Sequence, residues 1–339
     1  MGFKGSNSGG MSEVKSSLRV GVVGAGVMGS NHARVLAGLP DTTLVGVVDP
    51  VPAHRTRATD LAGCRTFATL DELFAEGVDA VTIAAPTHLH HEVALTCIAR
   101  GIHVLVEKPI ASSVEEGREI VDAAHRAGVT LMVGHVERFN PAVAAIKQAI
   151  SGEDILSIAI TRVGPFPPRM SNVGVVIDLA VHDIDLIRWF TESDIVEVQP
   201  QLSSAVAERE DIALLQFRTA SGVLAHINTN WLTPFKARNV TVATRDKYVM
   251  GDLLTHQVTE CFGFKPDGSY SMRHLPVGHD EPLRAELIAF MGAVRTNGIP
   301  AVTGDEGVAS LEIAIRCLES PARPAAAAPA RKGPRRVVG

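Results

Sequence analysis

The 339-residue sequence is poor in aromatic residues, which make up 4% of the chain with two tryptophans and two tyrosines. Its core must therefore be assembled from Val, Ala, Leu and Ile. The 46% hydrophobic and 20% charged content suffices for a sizeable core and excludes a chain disordered throughout. Cysteine is scarce as well. Cys64, Cys97, Cys261 and Cys317 form no CxxC pair and no regular spacing, which argues against a disulfide framework or a cysteine-based zinc site and suits a reducing, cytoplasmic compartment. An excess of positive charge is missing too: 32 Lys and Arg face 37 Asp and Glu, for a formal net charge of -5. No broad basic surface is available to neutralise a polyanion, so nucleic acid is not expected as a partner. No apolar run reaches the roughly 18 residues of a membrane span. The opening MGFKGSNSGGMSEVKSS lacks the apolar centre of a secretory signal, and no membrane partner is expected.

At roughly 150 residues per domain the length points to two domains. Residues 1–17 are expected to form a disordered leader and 321–339, PARPAAAAPARKGPRRVVG, a disordered Pro/Ala-rich tail. From Leu18 short β-branched runs alternate with helix-length stretches. Strands are expected at 18–23, 44–48, 65–67, 79–84, 103–106 and 130–133, and helices at 27–38, 70–76, 89–100 and 114–127. That alternation predicts an α/β fold over 18–137, a doubly wound parallel sheet with ligands beyond the carboxyl ends of its strands. After about residue 138 strand-like runs follow one another at 155–163, 196–206, 211–218, 222–230, 238–244 and 247–252, with helices at 176–190, 282–297 and 305–319. Residues 138–320 are thus expected to form an α+β domain with an open, mainly antiparallel sheet, whose exposed face suggests self-association.

Gly24, Gly26 and Gly29 form G-x-G-x-x-G, with Val27 and Met28 between them, directly after the first strand and at a helix start. The glycines permit a tight turn and close backbone approach, and the free N–H groups of the helix start can receive a pyrophosphate. Asp49 follows the second strand, where a carboxylate accepts hydrogen bonds from both ribose hydroxyls and repels a 2′-phosphate. NAD is favoured, with NADP left open by Arg55 and Arg57. In Pro86-Thr87-His88-Leu89-His90-His91, only Glu92 accompanies the histidines in ligand register, so no metal is expected. Pro86, Thr87, His88 and His91 are placed at a strand's carboxyl end for packing around the cofactor, the alternative being a helix cap by Thr87. Glu107-Lys108-Pro109 puts a charged pair where an apolar strand runs into the ligand crevice. A functional lysine is preferred to a solvated edge, with a cis Lys108–Pro109 bond expected to aim it.

In GVVIDLAVHDIDLIRWF (174–190), at roughly 100° per residue, Asp178, His182 and Asp185 fall within an arc of about 60° on an otherwise apolar helix. Such groups either pair internally or line a cleft, and a cleft is expected because hydride chemistry needs a proton carrier. His182 is the natural base. Asp178 would bond the substrate or fix the imidazole tautomer, and Lys108 would stabilise the developing alkoxide.

Taken together, GAGVMG (24–29), EKP (107–109) and Asp178-x-x-x-His182-x-x-Asp185 resemble the Gfo/Idh/MocA oxidoreductase family over residues 18–320. The resemblance implies a Rossmann domain binding NAD(P), a catalytic set of Lys108, Asp178 and His182, and a C-terminal sheet that mediates homodimers or homotetramers. It also implies sugar or cyclitol substrates. GHVERFNP (134–141), PFPPRMSNVGVVIDLAVHDIDLIRW (165–189) and NWLTPFK (230–236) look like the subgroup containing UDP-N-acetylglucosamine 3-dehydrogenases. That likeness implies oxidation of the C3 hydroxyl of a nucleotide sugar to a ketone, which an aminotransferase then uses. Arg138, Asn140, Arg169 and Asn172 become candidates for contacting the sugar or its diphosphate, with structural roles at a domain junction as the alternative. The other readings carried forward are a different sugar or cyclitol dehydrogenase, an NADPH-dependent 3-ketosugar reductase, and a non-catalytic NAD-binding regulator.

Overall fold

The computed structural model describes residues 17–167 and 173–319. The expected tail, all but Ser17 of the expected leader, and Arg169 and Asn172 lie outside the described residues. The chain divides into two compact units. Among the described residues, one comprises 17–107, Glu119–Met132 and Glu286–Ala301; the other comprises Lys108–Arg118, the described part of 133–285, and 302–319. The chain crosses between these two units at several points. A late helix returns most of its length to the first unit, which an inspection of consecutive elements does not reveal.

The N-terminal part of the chain follows the order β1 (Leu18–Val23), α1 (Val27–Ala37), β2 (Thr42–Val48), α2 (Pro52–Ala62), β3 (Thr66–Phe67), α3 (Leu70–Ala75), β4 (Ala80–Ile83), α4 (His90–Ile98), β5 (His103–Glu107), α5 (Val114–Ala127) and β6 (Leu131–Gly134). The six strands lie in the order β3-β2-β1-β4-β5-β6. The β1–β2, β1–β4, β2–β3 and β4–β5 pairs are parallel. Strand order reverses between β1 and β4, the switch point at which such sheets bind ligands. Both β4 and β6 are buried along their whole length, as expected of strands covered on two faces. Helix α2 was not expected, because Ala58 is its one buried residue and no apolar stripe marks it. Pro52 at its start and Gly63 at its end, the latter at φ 62°, were the available signals.

The second unit adds α6 (Pro141–Ala149), β7 (Ile155–Pro165), a π-helical turn (Val176–Ala180) leading into α7 (Val181–Thr191), and β8 (Ile195–Ser203), β9 (Ile212–Thr219), β10 (Leu224–Asn230), β11 (Leu232–Thr244), β12 (Lys247–Asp252), β13 (Gln257–Phe262) and β14 (Ser271–Leu275). Helices α8 (Pro282–Thr296) and α9 (Gly304–Glu319) close the chain's described part. The eight strands run in the order β14-β13-β12-β11-β7-β10-β9-β8. All these pairs are antiparallel except β7–β10. Burial alternates along β7, β9 and β10, so one face packs and the other is open. Ile158, Ile160, Ala213, Leu215, Ala225, Ile227, Val240 and Val242 fill the packed face beneath α7. The outer face carries exposed Leu214, Leu224, Tyr248 and Met250. Edge strand β14 was not foreseen: four of its five residues are exposed. No helix among the described residues is long and apolar enough to cross a membrane.

Candidate active site

The first unit presents the glycine loop between β1 and α1. Gly24 has φ +94°, and a Cβ there would lie 2.7 Å from Ala84 O; a Cβ on Gly29 would lie 1.8 Å from Gly24 O. Both positions exclude larger residues. Gly26 is different, with nothing within 4 Å of its absent Cβ, and it starts α1 without a side-chain cap. The first N–H groups of α1 therefore have no side-chain cap and are suited to receive a pyrophosphate. The Asp49 carboxylate accepts from Ala25 N and Val51 N, each at 2.8 Å, so the acid that would bind the ribose also braces the loop. The Arg55 guanidinium donates to the carbonyls of Asp49 and Pro50 at 2.7 and 3.1 Å, whereas Arg57 is exposed. These residues fit a dinucleotide.

The histidine run begins in a 3₁₀ turn, Thr87–Leu89, whose cap position is held by Pro86 without a side-chain hydrogen bond. Pro86 and His88 are exposed and Thr87 and His91 partly so. His90 Nε2 donates to Ala85 O at 2.9 Å, and His91 Nε2 lies 2.7 Å from Glu119 Oε2. No metal-ligating cluster forms among these histidines.

Lys108, Asp178 and His182 come together inside the second unit. The Lys108–Pro109 peptide is cis. Lys108 Nζ donates to Asp178 O at 2.7 Å and to Asp178 Oδ1 at 3.2 Å, with the side chains 17% and 23% exposed. Asp178 sits in the π-helical turn and His182 at the start of α7. Such wider turns are frequent at functional sites. His182 is partly exposed, yet its Nδ1 is buried with no hydrogen-bond partner. Its ring meets that of His135 edge to face at 6.0 Å. Burial, followed by the positive charges of Lys108, Arg162, His135 and Arg238, holds the His182 pKa well below that of a free imidazole. It is therefore neutral, with a lone pair to take a proton, beside an ammonium that can polarise an oxygen.

Asp185 departs from the expected cleft-lining stripe. It is fully buried, and Arg138 clasps it with two hydrogen bonds of 2.7 Å. Arg138 also donates to Glu306 at 2.8 Å. Burial opposes the charge of Asp185, but His135 and Arg138 outweigh it and hold the carboxyl below its usual value. Arg138, expected to touch sugar or diphosphate, is instead a buried structural arginine. Asn140 likewise departs from a substrate role: its Oδ1 caps α6 at Ala142 N, and its Nδ2 donates to Leu253 O at 3.0 Å.

A second buried cluster was not foreseen. Arg162 binds Asp183 through Nε and Nη2 at 2.7–3.0 Å and Glu137 through Nη1 at 2.7 Å. Arg238 stands opposite Arg162 on β11 and reaches the same Glu137 oxygen at 2.9 Å. Glu137 thereby separates two cations that would otherwise repel across the strands. The available signal was Arg162 itself, which continues the inward alternation of Ile158 and Ile160 on β7.

Comparison with known proteins agrees with this geometry. Residues 18–135 match the NAD-binding Rossmann fold of the Gfo/Idh/MocA oxidoreductase family, and residues 156–258 match that family's C-terminal domain. The chain is 32% identical over 242 residues to a UDP-N-acetylglucosamine 3-dehydrogenase of Acidithiobacillus ferrooxidans, covering 70% of this chain and 75% of the relative. It is 35% identical over 227 residues to an inositol 2-dehydrogenase of Rubrobacter xylanophilus, covering 63% and 65%. The solved structure of UDP-N-acetylglucosamine 3-dehydrogenase GnnA from Acidithiobacillus ferrooxidans superposes with a TM-score of 0.83 at 28% identity, covering 88% of this chain and 96% of that one. With both parts of the chain matched and a capless glycine loop suited to a dinucleotide, the protein belongs to the Gfo/Idh/MocA family of NAD(P)-dependent oxidoreductases.

Proposed function

We propose that the protein is an NAD-dependent dehydrogenase that oxidises a sugar hydroxyl to a ketone, and that its substrate is a UDP-N-acetylhexosamine such as UDP-GlcNAc, oxidised at C3. The observation that carries the reading is the Lys108–Asp178 pair beside His182, whose buried Nδ1 has no hydrogen-bond partner. Bound NAD supplies the acceptor for the hydride leaving the carbinol carbon. His182 takes the hydroxyl proton as the carbon–oxygen double bond forms. Lys108 stabilises the negative charge that develops on the oxygen, and Asp178 holds the Lys108 ammonium in place. Asp49 and the tethered Arg55 favour NAD over NADP, since neither offers a free cation to a 2′-phosphate.

The nucleotide sugar is supported by the likeness to the UDP-N-acetylglucosamine 3-dehydrogenase. Arg238 is the candidate for its diphosphate. Its side chain is 36% exposed, and one bond to Glu137 leaves other guanidinium donors available. The likeness to an inositol 2-dehydrogenase supports a second reading, a cyclitol hydroxyl. On the first reading the keto product is suited to an aminotransferase. Assembly into a homodimer or homotetramer is assigned to the outer face of the eight-stranded sheet, and light scattering that gave a monomer would remove it. The test of function is NADH formation, with NAD and NADP, against a panel of UDP-sugars, free sugars and inositols. Turnover on UDP-GlcNAc with NAD is expected. Turnover on inositols alone establishes the second reading, reduction of a 3-ketosugar by NADPH alone reverses the direction, and NAD binding without any turnover leaves a non-catalytic regulator.

A further inference from the structure

Three ionisable side chains that the proposed chemistry does not use meet inside the first unit. His32 on α1, Glu107 at the end of β5 and Glu286 on α8 are 0%, 7% and 0% exposed. One nitrogen or oxygen from each lies within 4.8 Å of the others. His32 Nε2 is 2.9 Å from Glu107 Oε1, so the imidazole donates to that carboxylate. Both oxygens of Glu286 are buried without a hydrogen-bond partner, as is His32 Nδ1.

Charge balance decides what this trio holds. With all three groups ionised, two carboxylates would face one imidazolium in the interior, a net negative charge without solvent. From β5 the charge acting on Glu286 is Glu107, of like sign; from α1 the facing group is His32, already engaged with Glu107. Burial, then the Glu107 charge, push the Glu286 carboxyl well above its ordinary value. Either a proton or a metal cation must neutralise the trio. The 2.9 Å contact favours the proton, because a carboxylate accepts only and the imidazole nitrogen that meets Glu107 is then its donor.

We propose that Glu286, as a buried neutral carboxylic acid, and His32 are positioning residues for Lys108, acting through Glu107, the residue that precedes Lys108 in the chain. The role rests on the oxidoreductase reading of Lys108. His32 pins the Glu107 side chain to α1, and neutral Glu286 on α8 lets the two carboxyl groups sit together. Ionisation of Glu286 would set like charges against each other at the strand end from which Lys108 emerges.

The test compares wild type with Glu286→Gln, which copies the neutral acid in shape, and Glu286→Ala. In infrared difference spectra of the substrate-free protein, wild type minus Glu286→Gln is expected to show the carbonyl stretch of a protonated carboxylic acid at neutral pH, converting to carboxylate bands in alkaline buffer. Glu286→Gln is expected to keep kcat within about threefold and to lose the part of the wild type's alkaline decline that belongs to Glu286. Glu286→Ala is expected to lower kcat about 100-fold with KM within about threefold, since a small misplacement of a catalytic group costs that much. A carboxylate band at neutral pH, equal damage by Gln and Ala at every pH, full activity of Glu286→Ala, or a stoichiometric metal in the purified protein overturns the proposal. The infrared signal needs no substrate, so a protein that shows it but oxidises no sugar counts against the reaction and still supports the protonated trio.

Discussion

The stretch from Val176 to Thr191 carries two kinds of ionisable group. Asp178 and His182 are partly exposed, and Asp178 is bonded to Lys108. Asp183 and Asp185, next along the same helix, are fully buried and clasped by Arg162 and Arg138. The difference shows that helical spacing assigns a face but not a partner. A carboxylate met by a guanidinium from a neighbouring strand or turn becomes part of the core, whereas one placed in a widened turn stays accessible. The first kind is expected to govern rate and the second stability.

The sharpest way to break this division is to remove one member of each kind. His182→Ala is expected to lower kcat by about 10²–10⁴-fold, the usual contribution of a general base, with the melting temperature unchanged. Arg162→Ala strands Asp183 in the interior and leaves Glu137 to Arg238. It is expected to destabilise the fold by about 3–5 kcal/mol, the cost of orphaning a buried ion-pair partner, and denaturant unfolding measures it. Arg238→Ala sharpens the comparison from the border of the two kinds. It is expected to raise KM for UDP-sugars by about 10-fold, through lost charge-assisted hydrogen bonds, and to leave KM for free sugars unaltered. The smallest effect concerns pH. Because the folded His182 pKa lies below its unfolded value of 6.5, the unfolded chain takes up a proton there as pH falls below about 6.5 while the native one resists. Stability should decline on that acid side and be fully present above it, and His182→Gln should flatten the slope in melting temperature against pH.

The parallel sheet was legible because its strands are continuous apolar runs punctuated by glycine, and Gly24, Gly26 and Gly29 follow β1 directly. Lys108, Asp178 and His182 were legible as charged residues breaking apolar stretches. What escaped did so for physical reasons. Helix α2 buries only Ala58, so no periodic stripe exists to detect. Helix α6 is capped by Asn140, a residue whose polarity suggested a ligand instead. The fates of Arg138 and Asp185 depend on a contact between residues 47 positions apart, and the His32–Glu107–Glu286 trio joins α1, β5 and α8, which no local pattern connects. The π-helical turn at Val176–Ala180 is equally hidden, because a period of 100° per residue presupposes a regular helix.

The most direct measurement is single-turnover NADH formation by wild type, His182→Gln and Asp183→Asn on UDP-GlcNAc, with a thermal melt of each protein. The account predicts that His182→Gln melts like the wild type and fails to transfer hydride, whereas Asp183→Asn melts lower and, where still folded, transfers hydride at a rate near the wild type's. Hydride transfer by His182→Gln at the wild-type rate, or a loss of rate in Asp183→Asn without any loss of stability, would contradict it.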